Sequence, residues 1–146
     1  MMEQMADPLA SEQRETIELS FPAQPGLVVL ARFAAATMAA RAGFDVEEIE
    51  DLRLAVDELC VSFGPMSEDG CVRMELDRDH DTVSIVGSFE PFARPRAVGQ
   101  ERTDSSWEKA AELSELLLDS LVDDHGRENR NGKSVAWLRK RRASTR

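Results

Sequence analysis

Cysteine is scarce in this chain of 146 residues, which contains only Cys60 and Cys71. Two cysteines are too few for a disulfide-bonded scaffold, so the fold depends on a hydrophobic core. We interpret both as small buried apolar residues, because acidic rather than basic residues surround them and nothing favours a reactive thiolate. A redox switch between the two is the alternative interpretation.

Long apolar runs and targeting signals are absent as well. No stretch of eighteen apolar residues occurs, so the sequence contains no predicted membrane span. The N-terminus does not place a basic region before an apolar stretch, so no export signal is predicted. We therefore expect a cytoplasmic protein that does not insert into a membrane.

Several catalytic and metal-binding patterns are missing. Neither His80 nor His125 has a cysteine or histidine at metal-ligand spacing, so no metal site is predicted. No Gly-x-Ser-x-Gly or Gly-x-x-x-x-Gly-Lys motif occurs, which argues against the common serine hydrolases and P-loop nucleotide-binding proteins.

Acidic residues are in excess, with 28 Asp and Glu against 18 Lys and Arg. Residues 1–132 carry all the acidic residues and a net charge of −16, whereas 133–146 carry six basic residues and no acidic one. An acidic body repels phosphate backbones and attracts basic proteins, so the charge predicts a protein partner rather than direct nucleic-acid binding. We interpret Arg139-Lys140-Arg141-Arg142 as a solvated end that partly neutralises the body, rather than as a nucleic-acid patch.

Hydrophobic periodicity predicts a single α+β domain at 14–142, after a flexible segment at 1–13 and before a short basic tail at 143–146. The predicted order is βααββαββ. It favours a two-layer sandwich with helices on one face of a mixed, mostly antiparallel sheet. The predicted elements are strands at 15–21, 71–76, 82–86 and 134–138, helices at 26–42, 46–63 and 107–122, a polar turn at 77–81, a long loop at 90–105, and a hairpin turn at Asn131-Gly132.

The second predicted helix begins with a capping box of Asp45 and Glu48. Glu58 and Ser62 are four residues apart and lie together on the flank of its apolar stripe, which contains Ile49, Leu52, Val56, Leu59 and Phe63. Glu58 is either a general base for a hydroxyl or water, or a carboxylate satisfied by solvent or an N–H group. Without a metal or phosphate partner, the second interpretation is favoured.

The first predicted helix is apolar nearly all round. One apolar stripe contains Leu27, Ala31, Ala34 and Met38, and a second contains Val29, Phe33, Ala36 and Ala40. One stripe can pack on the sheet, so the other predicts contact with a second chain. On the last helix, one face contains Leu113, Leu116, Leu117, Ser120 and Leu121.

The chain resembles the anti-sigma-factor and serine-protein-kinase branch of the GHKL ATPases, which share the Bergerat fold. The resemblance rests on Phe21-Pro22-Ala23-Gln24-Pro25, on Gly43 to Cys60, which is similar to the N-box helix of the family, and on 116–124 with 132–138. The middle of the chain matches by element order only. The chain is similar to the actinobacterial antagonists of stress and sporulation sigma factors.

Three positions depart from the kinases of this family. Their N-box reads Glu-x-x-x-Asn where this chain has Glu58 and Ser62. Their Asp-x-Gly box, whose Asp binds the adenine amine, corresponds to 85–90, which contains no Asp. Their Gly-rich box at the start of the last helix corresponds to 110–115, where Glu112 and Glu115 would repel a triphosphate. A Ser hydroxyl can bind magnesium, so it is the loss of all three boxes that argues against ATP use.

The resemblance implies a pseudokinase that acts as an anti-sigma factor in transcription regulation. It would sequester an RNA polymerase sigma factor and release it when an anti-anti-sigma protein of the STAS type competes for the first helix and the 90–105 loop. The resemblance places the sigma contact at Arg32, next to Val29, Phe33 and Ala36, whereas the other interpretation of Arg32 is a snorkelling side chain.

Two alternatives remain open. The first is an active ATP-dependent serine/threonine kinase that phosphorylates its antagonist, with Glu58 as the base and Ser62 on magnesium. The second is a scaffold or homodimer that binds no sigma factor. ATP and magnesium are expected as cofactors only for the kinase.

Overall fold

The computed structural model describes residues 14–63, 69–92 and 105–143. The strands are β1 (Arg14–Pro22), β2 (Gly70–Asp79), β3 (Thr82–Pro91), β4 (Asp124–Arg130) and β5 (Lys133–Arg141). The helices are α1 (Val28–Arg41), α2 (Val46–Val61) and α3 (Ser105–Leu121), and a 3-10 turn at Pro25–Leu27 precedes α1. The predicted order βααββαββ is confirmed. The predicted flexible segment at 1–13 and most of the predicted loop at 90–105 lie outside the described residues.

The five strands form one sheet in the order β1-β2-β3-β5-β4, and all four described ladders are antiparallel. The sheet is therefore more uniform than the mixed sheet predicted. β4 and β5 are joined at Asn131-Gly132, whose φ angles of 54° and 79° match the left-handed geometry of a tight hairpin turn. This turn was predicted from the Asn-Gly pair and is confirmed.

The three helices cover one face of this sheet, as expected for a two-layer sandwich. α2 lies in the middle and packs against both α1 and α3. The core between the layers is formed by alternate residues of the strands and by the inner sides of the helices; its largest fully buried side chains include Met38, Leu52, Leu59, Leu76, Ile85, Leu118 and Leu138. None of the described helices is long and apolar enough to cross a membrane.

The capping box at the start of α2 is confirmed in full. The Asp45 carboxylate accepts a hydrogen bond from the Glu48 N–H at 2.8 Å, and the Glu48 carboxylate accepts one from the Asp45 N–H at 2.9 Å. Two N–H groups without a helical partner are thereby satisfied, which fixes the helix start. The second oxygen of Glu48 also accepts a hydrogen bond from the Ala143 N–H at 2.6 Å.

The polar turn predicted at 77–81 is wrong for its first three residues, which continue β2. Only His80 and Asp81 form the turn, with a φ of 61° at His80. Arg78 is 8% exposed, and its guanidinium donates to the Glu15 carboxylate at 3.0 Å and to the His80 carbonyl at 3.3 Å. A buried cation with such partners is tolerated inside a strand, so charged residues in this segment do not by themselves indicate a turn.

The basic run at 139–142 is exposed at Arg139, Arg141 and Arg142, as expected of a solvated end, and it is also bonded to the rest of the fold. Arg139 pairs with Asp124 at 3.1 Å, and the Lys140 ammonium donates to the Leu121 carbonyl at 2.8 Å. Lys140 therefore places a positive charge at the C-terminal end of α3, where the helix dipole favours it. The run completes β5 and links it to neighbouring elements.

Candidate functional site

Glu58 and Ser62 lie one turn apart near the C-terminal end of α2. Both side chains are half-buried, and Ser62 is the C-cap residue, with its N–H bonded to the Leu59 carbonyl at 3.0 Å. Below them, Leu52, Val56, Leu59 and Phe63 are buried, and Ile49 is half-buried. Glu58 and Ser62 therefore lie together beside this apolar stripe, as their spacing predicts.

Ser114 of α3 is a site residue that the sequence did not reveal. Its hydroxyl donates to Glu58 Oε1 at 2.6 Å, and the Ser114 side chain is 3% exposed. A hydrogen bond to a carboxylate is stronger than one between neutral groups. Glu58 is thus satisfied within the chain, although by a hydroxyl rather than by the solvent or N–H group expected. No local signal identifies this pair, because 56 residues separate its members.

Residues 110–115 lie inside α3, which begins five residues earlier at Ser105, whereas the Gly-rich box of the resembled kinases lies at the start of their last helix. Amides inside a helix are bonded to carbonyls four residues before them, so they are not available to cradle a phosphate. Glu115 pairs with Arg127 of β4 at 3.0 Å. The Glu115 side chain is therefore engaged on the β4 side of α3.

The inner face of β3 is filled at Gly87, within the segment that corresponds to the adenine-binding box. A Cβ atom at Gly87 would lie 3.0 Å from the Phe63 ring, 3.5 Å from Met74 and 3.6 Å from Leu59. The Phe63 side chain is itself buried. Phe63, which follows α2, therefore packs its ring directly over Gly87, where the sheet carries no side chain.

These elements, from the end of β1 to β5, correspond to a known protein family. A model of the histidine kinase-like ATPase domain matches residues 21–140. The chain belongs to this family. The match includes the middle of the chain, where the sequence had suggested a likeness in element order only.

Curated relatives of this histidine kinase-like ATPase domain carry the name serine-protein kinase RsbW. The protein from Bacillus pumilus is 30% identical over 142 aligned residues, which cover 88% of each chain. The protein from Bacillus velezensis is 39% identical over 134 residues, or 84% of each chain. The protein from Listeria innocua is 32% identical over 121 residues, or 75% of this chain and 77% of the relative.

The predicted partner-binding residues of this histidine kinase-like ATPase domain lie on α1. Its buried side contains Val28, Ala31, Ala35, Met38 and Ala39, which pack into the core. Phe33 is 63% exposed, and Val29 and Ala36 are half-buried beside it. One apolar side of the helix is therefore covered by the described fold, and the other side faces outward.

Arg32 is placed differently from Phe33. Its guanidinium donates to the Asp57 carboxylate of α2 at 2.7 Å, and about a third of its side chain is exposed. Arg32 is thus neither unpaired nor a simple snorkelling side chain, since it forms a part-buried ion pair between α1 and α2. Sequence reasoning missed this pair, because Asp57 had no assigned role.

The two cysteines have different environments. Cys60 is buried on α2, and burial, helped by the nearby Asp57 charge, raises the pKa of its thiol to about 12. Such a thiol is unreactive at neutral pH, so Cys60 fits its interpretation as an apolar core residue. Cys71 is only half-buried and lies 3.3 Å from the Ser20 hydroxyl.

Proposed function

We propose that this histidine kinase-like ATPase domain is an anti-sigma factor that acts by binding and not by phosphorylation. It sequesters an RNA polymerase sigma factor on the outer side of α1. An anti-anti-sigma protein of the STAS type then competes for an overlapping surface and releases the sigma factor. Such an exchange requires only differential affinity, with no chemical step.

The main support for a function without kinase activity is the packing of the Phe63 ring over Gly87. A purine needs a free apolar slot with a few convergent polar groups, and here the chain fills the corresponding position itself. The hydrogen bond from Ser114 to Glu58 supports the same proposal, because it engages the carboxylate that would otherwise activate a hydroxyl. Both observations support a protein that works without a magnesium–triphosphate group.

The outer side of α1 supports the binding role. Phe33 is a large ring with most of its surface in solvent, and half-buried Val29 and Ala36 extend the apolar area beside it. Aromatic side chains with exposed apolar neighbours are typical anchors of protein interfaces. Arg32 lies at the edge of this area, where its pair with Asp57 leaves part of the guanidinium accessible to a partner carboxylate.

The proposal is tested by calorimetric titration of the chain with each sigma factor of its host, with and without ATP and magnesium. We expect one sigma factor to bind with the same affinity under both conditions. Phe33→Glu should weaken that binding by at least about 30-fold, which corresponds to about 2 kcal/mol at an interface anchor. Val86→Glu is the control, because Val86 is also exposed but lies on strand β3. Failure of every sigma factor to bind would refute the proposal.

The contribution of Arg32 needs a charge exchange rather than a single reversal. Arg32→Glu alone would place two carboxylates together at Asp57 and disturb the α1–α2 contact. The double variant Arg32→Glu, Asp57→Arg keeps an ion pair and reverses only the charge shown to the partner. If its sigma affinity equals that of the wild type, Arg32 has no role in recognition.

Family membership and the names of the relatives favour one second candidate, an ATP-dependent serine kinase. In that case Glu58 would act on the substrate hydroxyl and Ser62 would bind magnesium, with Ser114 displaced from Glu58. Transfer of labelled phosphate from ATP to a cognate antagonist, abolished by Glu58→Gln, would establish this candidate. A flat titration with ATP and magnesium would remove it.

A further inference from the structure

The outer face of α3 carries a leucine cluster made of Leu113, Leu116 and Leu117. These side chains are 57%, 65% and 37% exposed, respectively. Their spacing of three and four residues places them in one strip along the helix. A contiguous exposed strip of three leucines is unusual for a surface that only meets water.

The leucine cluster is not needed to hold α3 on the fold. The helix is anchored through a different side, on which Ala111, Ser114 and Leu118 are all 3% exposed or less. α3 therefore presents two stripes, of which the fold uses one. Burial of the second stripe against a partner would remove further apolar surface from water, which favours association.

Acidic side chains outnumber basic ones on the two helices around the leucine cluster. α2 and α3 together carry ten acidic and two basic side chains. On α3, Glu112 and Asp119 are exposed on the flank away from α2, where Asp119 contacts the His125 ring at 2.6 Å, and Glu58 lies on the α2 side, bonded to Ser114. Lys109, the single basic residue of α3, lies one turn before Leu113. A partner that covers the leucines therefore meets more carboxylates than cations.

We propose that the leucine cluster is a docking surface for a basic amphipathic helix of a partner protein. The apolar side chains of such a helix would pack between Leu113, Leu116 and Leu117, and its Lys and Arg residues would face the surrounding carboxylates. This is the helix-on-groove mode of recognition, in which apolar contacts give affinity and charge gives orientation. The surface is on α3, so it is separate from the sigma-binding role proposed for α1.

The net negative charge of this surface favours a basic helix over a second copy of the chain as the partner. Two copies meeting through α3 would bring two strongly acidic surfaces together, and like charges opposed across an interface are unfavourable. A basic helix instead neutralises them. We therefore expect the chain to present this surface without self-association through it.

The test uses two synthetic helical peptides with the same leucine positions, one with Lys and one with Glu at all other positions. Each is titrated into the full chain, and the contact is mapped by amide chemical-shift changes. We expect the Lys peptide to bind, to bind more weakly as salt rises, and to shift the amides of α3 most. The Glu peptide should bind at least about tenfold more weakly. Equal binding of both peptides, no binding of the Lys peptide, or shifts centred on α1 would overturn the proposal.

Matched variants locate the surface by a second route. Leu116→Lys should weaken binding of the Lys peptide by at least about tenfold, since it removes an apolar contact and adds a repulsive charge. Leu30→Lys is the control, because Leu30 is also exposed but lies on α1. If the two variants behave alike, the leucine cluster is not the binding surface. A dimer that is detected by light scattering and lost in Leu116→Lys would identify a second copy as the occupant and contradict the proposal.

Discussion

Glu15 on β1 is held by two arginines from different elements. Arg41 at the end of α1 donates to both of its carboxylate oxygens, one of them at 2.7 Å, and Arg78 on β2 donates at 3.0 Å. Hydrogen bonds from Arg41 and then Arg78 lower the pKa of Glu15 from 4.5 to about 2. The folded state therefore favours the ionised carboxylate more than the unfolded chain does.

This pKa shift predicts how stability depends on pH. A lowered pKa contributes stability that is complete above about pH 4.5 and is lost as the pH falls towards 2. We expect Glu15→Gln to be less stable than the wild type at neutral pH, and the difference to shrink between pH 4.5 and 2. Urea unfolding over this pH range measures it. Glu18→Gln, an exposed position on the same strand, is the control and should stay within about 0.5 kcal/mol. A difference that does not change with pH would contradict the role of Glu15.

Residue-scale features were predictable where both partners lie in one turn. Asp45 and Glu48 are three residues apart and obey a local rule, so their capping box could be predicted and is confirmed. The bond of Ser114 to Glu58 joins residues 56 positions apart. Such a pair depends on how α2 and α3 are packed, which no window of sequence encodes, and Ser114 gives no local sign of its role.

At the scale of elements, periodicity defines a stripe but does not say which stripe is buried. On α3 it grouped Leu113, Leu116 and Leu117 correctly, yet the fold buries the stripe that contains Leu118 and the polar Ser114. The reason is tertiary: Ser114 finds a carboxylate on α2, which offsets the cost of burying its hydroxyl. The same holds for α1. Both of its stripes are apolar, so only tertiary packing decides which one meets the sheet.

The contact between α2 and α3 should be sensitive to Ser114. Ser114→Ala removes the donor and leaves the half-buried Glu58 carboxylate without it, which should lower the free energy of unfolding by about 1–3 kcal/mol. Ser120→Ala is a matched control on the same helix, since the Ser120 hydroxyl bonds only to the Leu117 carbonyl of its own helix among the described contacts. Urea unfolding of both variants is the measurement. Equal stability of the two would show that the Ser114 bond does not hold the helices together.

At the scale of the whole molecule, the fold class and element order followed from the alternation of strand and helix patterns, but the bonds that hold the C-terminal end of the domain did not. The basic residues near the C-terminus looked like a solvated end because they form a dense run of one charge. In the structure their backbone N–H groups donate to Glu48 of α2, to the Asp81 carbonyl in the β2–β3 turn and to Asp123 before β4, so the end of β5 belongs to the fold. Charge composition alone does not show which main-chain groups are bonded.

The bonds at the end of β5 give a prediction for the stability of the intact domain. The Arg141 N–H donates to Asp123 at 2.7 Å, the Arg142 N–H to the Asp81 carbonyl at 2.8 Å, and the Ala143 N–H to Glu48 at 2.6 Å. Truncation after Lys140 removes all three bonds and the last residue of β5, so it should lower the free energy of unfolding by at least about 3 kcal/mol, at about 1 kcal/mol for each bond. Truncation after Ala143 keeps all three, so it should stay within about 0.5 kcal/mol of the full chain. Urea unfolding of the two truncated chains compares them directly, and equal stability would mean that these contacts do not close the domain.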